Sequence, residues 1–167
     1  MKKQLIYLTI LSCLGFTACK KEVEQKEVII SDCLNKTVDQ PVLVADVKSK
    51  IYGEWQLYEL IGNMPTKSKA PDLKIVFKNI SGSTIDKQVA DIYENGKLTN
   101  TMPYSLKQKE GNGYQSVEII SDSESFQNGA YNFLRGTIRI CENQMMIDNG
   151  IAFDAPGYVF TKVNVVK

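Results

Sequence analysis

The sequence contains no histidine. That absence removes Ser-His-Asp and Cys-His catalysis and the commonest transition-metal ligand together, and most hydrolase chemistry goes with them. Carboxylate, Lys or Tyr chemistry would survive. The acids that could carry it (Asp86, Asp91, Glu94, Glu118, Asp122, Glu124) are scattered without calcium-loop spacing. They read as a solvated face, so no catalytic residue, metal or other cofactor is expected. A charge excess is missing too: 20 Lys and Arg stand against 19 Asp and Glu, for a net charge of +1. Such a balance lacks the basic patch that nucleic-acid binding draws on for counterion release, so nucleic acid is not an expected partner. Long apolar runs are also absent apart from Leu5 to Phe16, a stretch of 12 residues. A membrane-spanning helix needs roughly 20, and none is expected.

What is present begins with that run. Lys2 and Lys3 precede it and the small residues Thr17 and Ala18 come after it, which is the layout of a secretory signal. A cysteine comes next, and Phe16-Thr17-Ala18-Cys19 resembles the bacterial lipoprotein processing motif, with Phe16 where that motif usually has Leu. The resemblance implies a cleaved signal peptide over residues 1–18, diacylglycerol on the Cys19 thiol and a second acylation, palmitate in kind, on the new amino group. Several acyl chains at ~0.8 kcal/mol per buried CH₂ would hold the chain to a membrane. The bland alternative is an ordinary signal with a chance cysteine behind it. Lys20 is not the Asp that resembles an inner-membrane retention signal, so the expected location is the outer membrane. Loss of Lys2 and Lys3 takes the net charge from +1 to −1. The remaining length suits one domain burying about 68–70% of its unfolded surface.

Of the four cysteines, Cys13 would leave with the signal and Cys19 would carry the lipid. Cys33 and Cys141 remain. In a chain that folds outside the cytoplasm such a pair reads as a disulfide, with two buried free thiols as the alternative.

Residues 19–50 form a lipid-anchored tether and N-terminal arm. Lys20 to Glu27 is charged and unpatterned, as a solvated tether is. Val28 to Ser49 is mixed, and one helical turn is expected over Leu43 to Lys50. From residue 51 to 167 the text is strands and turns. Asn-Gly, the strongest short hairpin signal, occurs at Asn95, Asn112, Asn128 and Asn149. The β-rich runs are Glu54 to Ile61, Leu73 to Ile80, Gln88 to Glu94, Leu98 to Leu106, Tyr114 to Ile120, Tyr131 to Ile140, Gln144 to Asp148 and Tyr158 to Val165. No helical stripe separates them, which disfavours a parallel βαβ sheet. The expected fold is all-β, a single eight-stranded antiparallel up-and-down barrel, because closure removes the edges that invite aggregation.

Gly53-Glu54-Trp55 opens the first of these strands, and Tyr158-Val159-Phe160-Thr161-Lys162 forms the last. A Gly-x-Trp at the first strand and an aromatic final strand ending in a basic residue resemble the bacterial lipocalin-like lipoproteins. The resemblance covers about residues 51 to 165. It implies that Trp55 plugs the closed end of the barrel, with Lys162 packed over it where classical lipocalins mostly have Arg. Such a cation–π contact is worth ~0.5–2 kcal/mol.

Barrels of eight strands have an interior just wide enough to be filled or to hold one small ligand. Trp55, Leu57, Ile75, Phe77, Tyr93, Phe133 and Ile147 are the alternating apolar residues expected inside, as cavity lining or as plain core. Two functions are consistent with such a barrel. The first is a cell-envelope lipoprotein binding a small apolar ligand. The second is a solid-barrel interaction or inhibitor module that meets an envelope protein partner through loops such as Gly62 to Pro71 and Ser121 to Gly129. An enzyme is not expected.

Overall fold

The computed structural model describes residues 30–35, 41–62, 70–80, 87–111, 114–121, 133–153 and 155–163. The expected signal peptide, Cys19, the expected tether, the Asn112-Gly113 and Asn128-Gly129 pairs and most of the loops Gly62 to Pro71 and Ser121 to Gly129 lie outside the described residues.

Eight strands form: β1 (Gly53–Ile61), β2 (Leu73–Ile80), β3 (Lys87–Glu94), β4 (Lys97–Gly111), β5 (Tyr114–Ser121), β6 (Arg135–Cys141), β7 (Gln144–Asp148) and β8 (Gly157–Lys162). Each pairs antiparallel with its neighbours in sequence, and β8 returns to β1, so the sheet closes into an up-and-down barrel. Period-2 patterning drives this, since successive side chains point to opposite faces. In β2 Leu73, Ile75 and Phe77 are buried while Lys74 and Val76 between them are not. Turn chemistry sets the registers. At Asn95-Gly96 both residues take positive φ, 51° and 75°, which the twist of a two-residue hairpin favours. The β6–β7 hairpin uses Glu142 at φ 52° with Asn143 after it, a turn that no Asn-Gly announces.

Strand bounds differ from the sequence expectation most in β4 and β6, and β1 carries a register slip. β4 runs on to Gly111 because the charged stretch after Leu106 keeps pairing with β5 once it has left β3 at Pro103. β6 starts at Arg135, and Phe133-Leu134 form a turn before it. In β1 the register against β8 slips between Leu57 and Glu59, a bulge that re-aims the remainder of the strand. Leu57 and Leu60 therefore both pack on the interior, whereas Ile61 packs on the outer wall.

Where one helical turn is expected there is an eight-residue helix, and a second, shorter one precedes it. α1 (Asp32–Asn35) lies outside the barrel, where Leu34 packs with Cys141, Val159, Ile30, Ile61 and Met146. A disulfide joins Cys33 to Cys141 with Cα atoms 6.2 Å apart and fixes α1 to the end of β6. α2 (Val44–Ile51) lies across one end of the barrel and buries Val47 and Ile51, one helical turn apart, in the core. Its start lacks a side-chain cap from Leu43. The Gln108 side chain does that work instead, accepting from the Val44 N–H at 3.2 Å and donating to the Val42 carbonyl at 3.0 Å. The plugged end thus comprises α2, the starts of β1, β3, β5 and β7 and the ends of the other strands. The opposite end is the rim.

Gly136 in β6 has φ +136°, and a Cβ there would collide with the Asp148 backbone oxygen on β7. Gly136→Ala is expected to cost at least about 1–3 kcal/mol from backbone strain alone, before the clash is added. A urea melt checks it, and an unchanged midpoint would show that the β6–β7 pairing differs from that described.

Candidate functional site

At the plugged end the backbone brings together residues far apart in sequence. Trp55 is fully buried and stands opposite Lys162 in the β1–β8 register. The Lys162 Nζ lies 5.1 Å from the Trp55 ring centroid. Both side chains also hold the last turn of α2: Trp55 Nε1 donates to the Ile51 carbonyl at 2.7 Å, and Lys162 Nζ donates to the Lys50 carbonyl at 3.1 Å. These carbonyls have no helical partner left, and a cation beside them suits the negative end of the helix dipole. Gly53 begins the strand at φ +116°, with the Lys162 stem 3.4 Å from where a Cβ would stand. That contact is ordinary, so it is the backbone angle, rarely open to other residues, that calls for glycine in Gly-x-Trp.

Leu57, Ile75, Phe77, Phe133 and Ile147 are buried in the same interior cluster as Trp55. Tyr93 departs from expectation. Its β2 partner is Lys74, while Ile92, paired with Ile75, is the buried residue. Tyr93 lies on the outer wall with the Lys74 Nζ 4.8 Å from its ring centroid. Asp91 stands two residues before Tyr93 and so shares its face, a polar mark that points this parity outward, and a one-residue slip exchanges the two faces. Sequence reasoning also missed Met102, Tyr104, Ile119, Ile138, Met145, Tyr158 and Phe160, all buried. For Tyr158 and Phe160 a signal existed, since they alternate around Val159, which faces the outer cluster.

Among the described residues this interior is tightly packed. Trp55, Ile75, Ile92, Val117, Ile119, Phe133, Ile138, Met145, Ile147 and Phe160 each have 0% of their surface exposed, so none of them borders a void that would admit a water molecule. Edge-to-face ring pairs occupy both ends, Phe77 on Tyr104 at 5.1 Å toward the plugged end and Phe133 on Tyr158 at 6.0 Å toward the rim.

Comparison with protein-family models, curated proteins and solved structures finds no match to this chain.

Reactive chemistry is sparse at this barrel. Among the described residues no group of three His, Cys, Asp or Glu side chains is placed to hold a metal ion. The Tyr52 and Tyr104 hydroxyls are buried without a hydrogen-bond partner among the described residues. Burial, reinforced by Tyr52, pushes the Tyr104 phenol well above its ordinary value, so it stays neutral and cannot serve as a base near neutral pH. Among the described residues Asp91 is the buried acid. It faces the outer wall, where Lys78 Nζ hydrogen-bonds it at 2.5 Å and Thr101 Oγ1 donates to it at 2.7 Å. The Lys78 hydrogen bond, aided by Thr101 and only partly opposed by burial, holds the Asp91 carboxyl below the ordinary value of 3.8. A depressed carboxyl stabilises the fold above its unfolded value and loses that contribution as pH falls through the folded one. Asp91→Asn is therefore expected to flatten the fall in stability below about pH 4. Melts of the two proteins from pH 7 down to pH 2 check it, and parallel acid limbs would remove Asp91 from the account.

Proposed function

We propose that this chain is a cell-envelope lipoprotein of lipocalin-like type, anchored through a lipidated Cys19 in the outer membrane, whose solid barrel binds a protein partner at its rim. It acts by binding, without catalysis and without a cofactor. The observation that carries this reading is the filled interior. A carrier of apolar molecules keeps a pocket of some hundreds of Å³, whereas here completely buried side chains from seven strands and from the turn before β6 occupy the axis. Filling the core makes the barrel a rigid support, and rigid supports present binding surfaces from their connections. The lipocalin-like reading rests on Gly53, Trp55 and Lys162 meeting at the plugged end of an eight-stranded barrel. The anchor rests on the sequence around Cys19.

Binding of a small apolar ligand is the second reading, favoured by one observation. Phe133 and Leu134, which fill the rim side, come from a turn rather than a strand, so a ligand could take their place without breaking the sheet. Native mass spectrometry of the protein purified from its host separates the two. The interaction module is expected to show the acylated mass and no retained small molecule. A stoichiometric apolar ligand would move the conclusion to the carrier. Phe133→Ala sharpens the test by creating space at the rim: uptake of a hydrophobic dye only by that variant supports the solid barrel, and equal uptake by the unaltered protein refutes it.

A further inference from the structure

Among the described residues four large hydrophobic side chains stand exposed, and three of them, Leu43, Ile80 and Val163, sit at the plugged end. Leu43 precedes α2, Ile80 ends β2, and Val163 comes directly after β8, its N–H bonded to the Glu54 carbonyl. Around them this end exposes Lys48, Lys50, Lys87, Lys107 and Lys109 against Asp46, Glu110 and Glu142. An apolar set ringed by an excess of lysine is the composition of a surface that lies on an anionic bilayer. The N-terminal segment meets the barrel at this same end, through Cys33 on Cys141 and through the Val42 N–H on the Gln115 carbonyl.

We propose that the plugged end rests on an anionic lipid surface, with Leu43, Ile80 and Val163 entering the interface and the lysines facing the headgroups, so that the rim points away from the membrane. The inference rests on the lipid-anchor reading and adds the orientation that presents the rim to a partner. The tether alone does not set that orientation. Ten residues lie between Cys19 and Ile30, and covalent geometry allows such a stretch to reach at most about 36–40 Å. Tilted strands of this length make a barrel about 20 Å tall. That upper bound exceeds the height of the body, so the chemistry of the end face decides which side lies down.

The test uses the native, full mature protein on phosphatidylglycerol-containing vesicles that carry a quencher on a lipid headgroup. A fluorophore is placed on Ala45→Cys, exposed on α2, or on Leu98→Cys, exposed at the rim. Quenching several-fold stronger at position 45 than at position 98 is expected, and equal or reversed quenching overturns the orientation. The mass of the same sample reports the anchor separately. If it carries no lipid, the anchor reading fails, and co-sedimentation of that unlipidated chain with the vesicles decides the face by itself. Binding that is lost on Leu43→Ser, Ile80→Ser and Val163→Ser together supports it. No binding, or binding indifferent to those changes, overturns it.

Discussion

Trp55→Ala is expected to lower the unfolding free energy by about 3–5 kcal/mol, through lost burial and the cavity left behind. The indole is the largest fully buried side chain and sits where β1, β8 and α2 meet, so its loss also frees the Ile51 carbonyl. The walls cannot close on the hole, because the barrel is hydrogen-bonded all round. Lys162→Ala should cost less: its ammonium is partly exposed and gives up the contact over the ring, the packing of its stem and one hydrogen bond. The two changes should be non-additive by about 0.5–3 kcal/mol, since the side chains touch and both hold the end of α2. A denaturant-melt cycle on the two singles and the double is the measurement. The chain has one Trp, so circular dichroism replaces fluorescence. Strict additivity would mean that Trp55 and Lys162 act separately, and a neutral Trp55→Ala would contradict its position inside the barrel.

Replacing Cys33 and Cys141 together by Ser is expected to have an effect of similar size. The bridge closes a separation of 108 residues, for which chain entropy suggests about 4–5 kcal/mol as a ceiling and measured removals give about 2–5 kcal/mol. In the folded state it presses Leu34 onto Val159, and both are almost completely buried. The double Ser variant therefore gives up the restraint on the unfolded chain and loosens that small outer cluster, while the main core is untouched. Equilibrium melts should show a lower midpoint together with a steeper denaturant dependence, because the released chain exposes more surface on unfolding. A midpoint within error of the unaltered protein would show that the arm and α1 add nothing to the stability of the barrel. Thiol titration of the denatured, unreduced protein gives an independent check: neither Cys33 nor Cys141 should react.

Much of this architecture was legible along the chain because its signals are local. Alternation places every strand core within a few residues, and Asn95-Gly96 names its own hairpin through the positive φ that both residues adopt. The absence of a helical stripe after residue 51 leaves an antiparallel meander as the sensible arrangement, and its edges call for closure. Gly53, Trp55 and Lys162 were readable because they fall at fixed places on the first and last strands, which are neighbours only in a closed barrel. Cys33 and Cys141 were readable as a pair only from the compartment that the N-terminus implies, and their joining was a matter of geometry.

The strand count, the Asn95-Gly96 turn and the alternation of faces were determined by the sequence alone; which face is the inside was decided by the tertiary structure wherever alternation is interrupted. Tyr93 shares its parity with Asp91, and the pairing of Ile92 with Ile75 is what turns both outward. The slip after Leu57 inserts one residue and exchanges the faces of the rest of β1. α2 became a full helix across the plugged end because Gln108 and Gln115, more than sixty residues downstream, hold its start, while Trp55 and Lys162 hold its end. Whether the barrel is hollow or solid was likewise beyond the sequence, since pocket linings and packed cores draw on the same residue types. Side-chain volumes from all eight strands fill or fail to fill the axis only once the registers have set them at the same height.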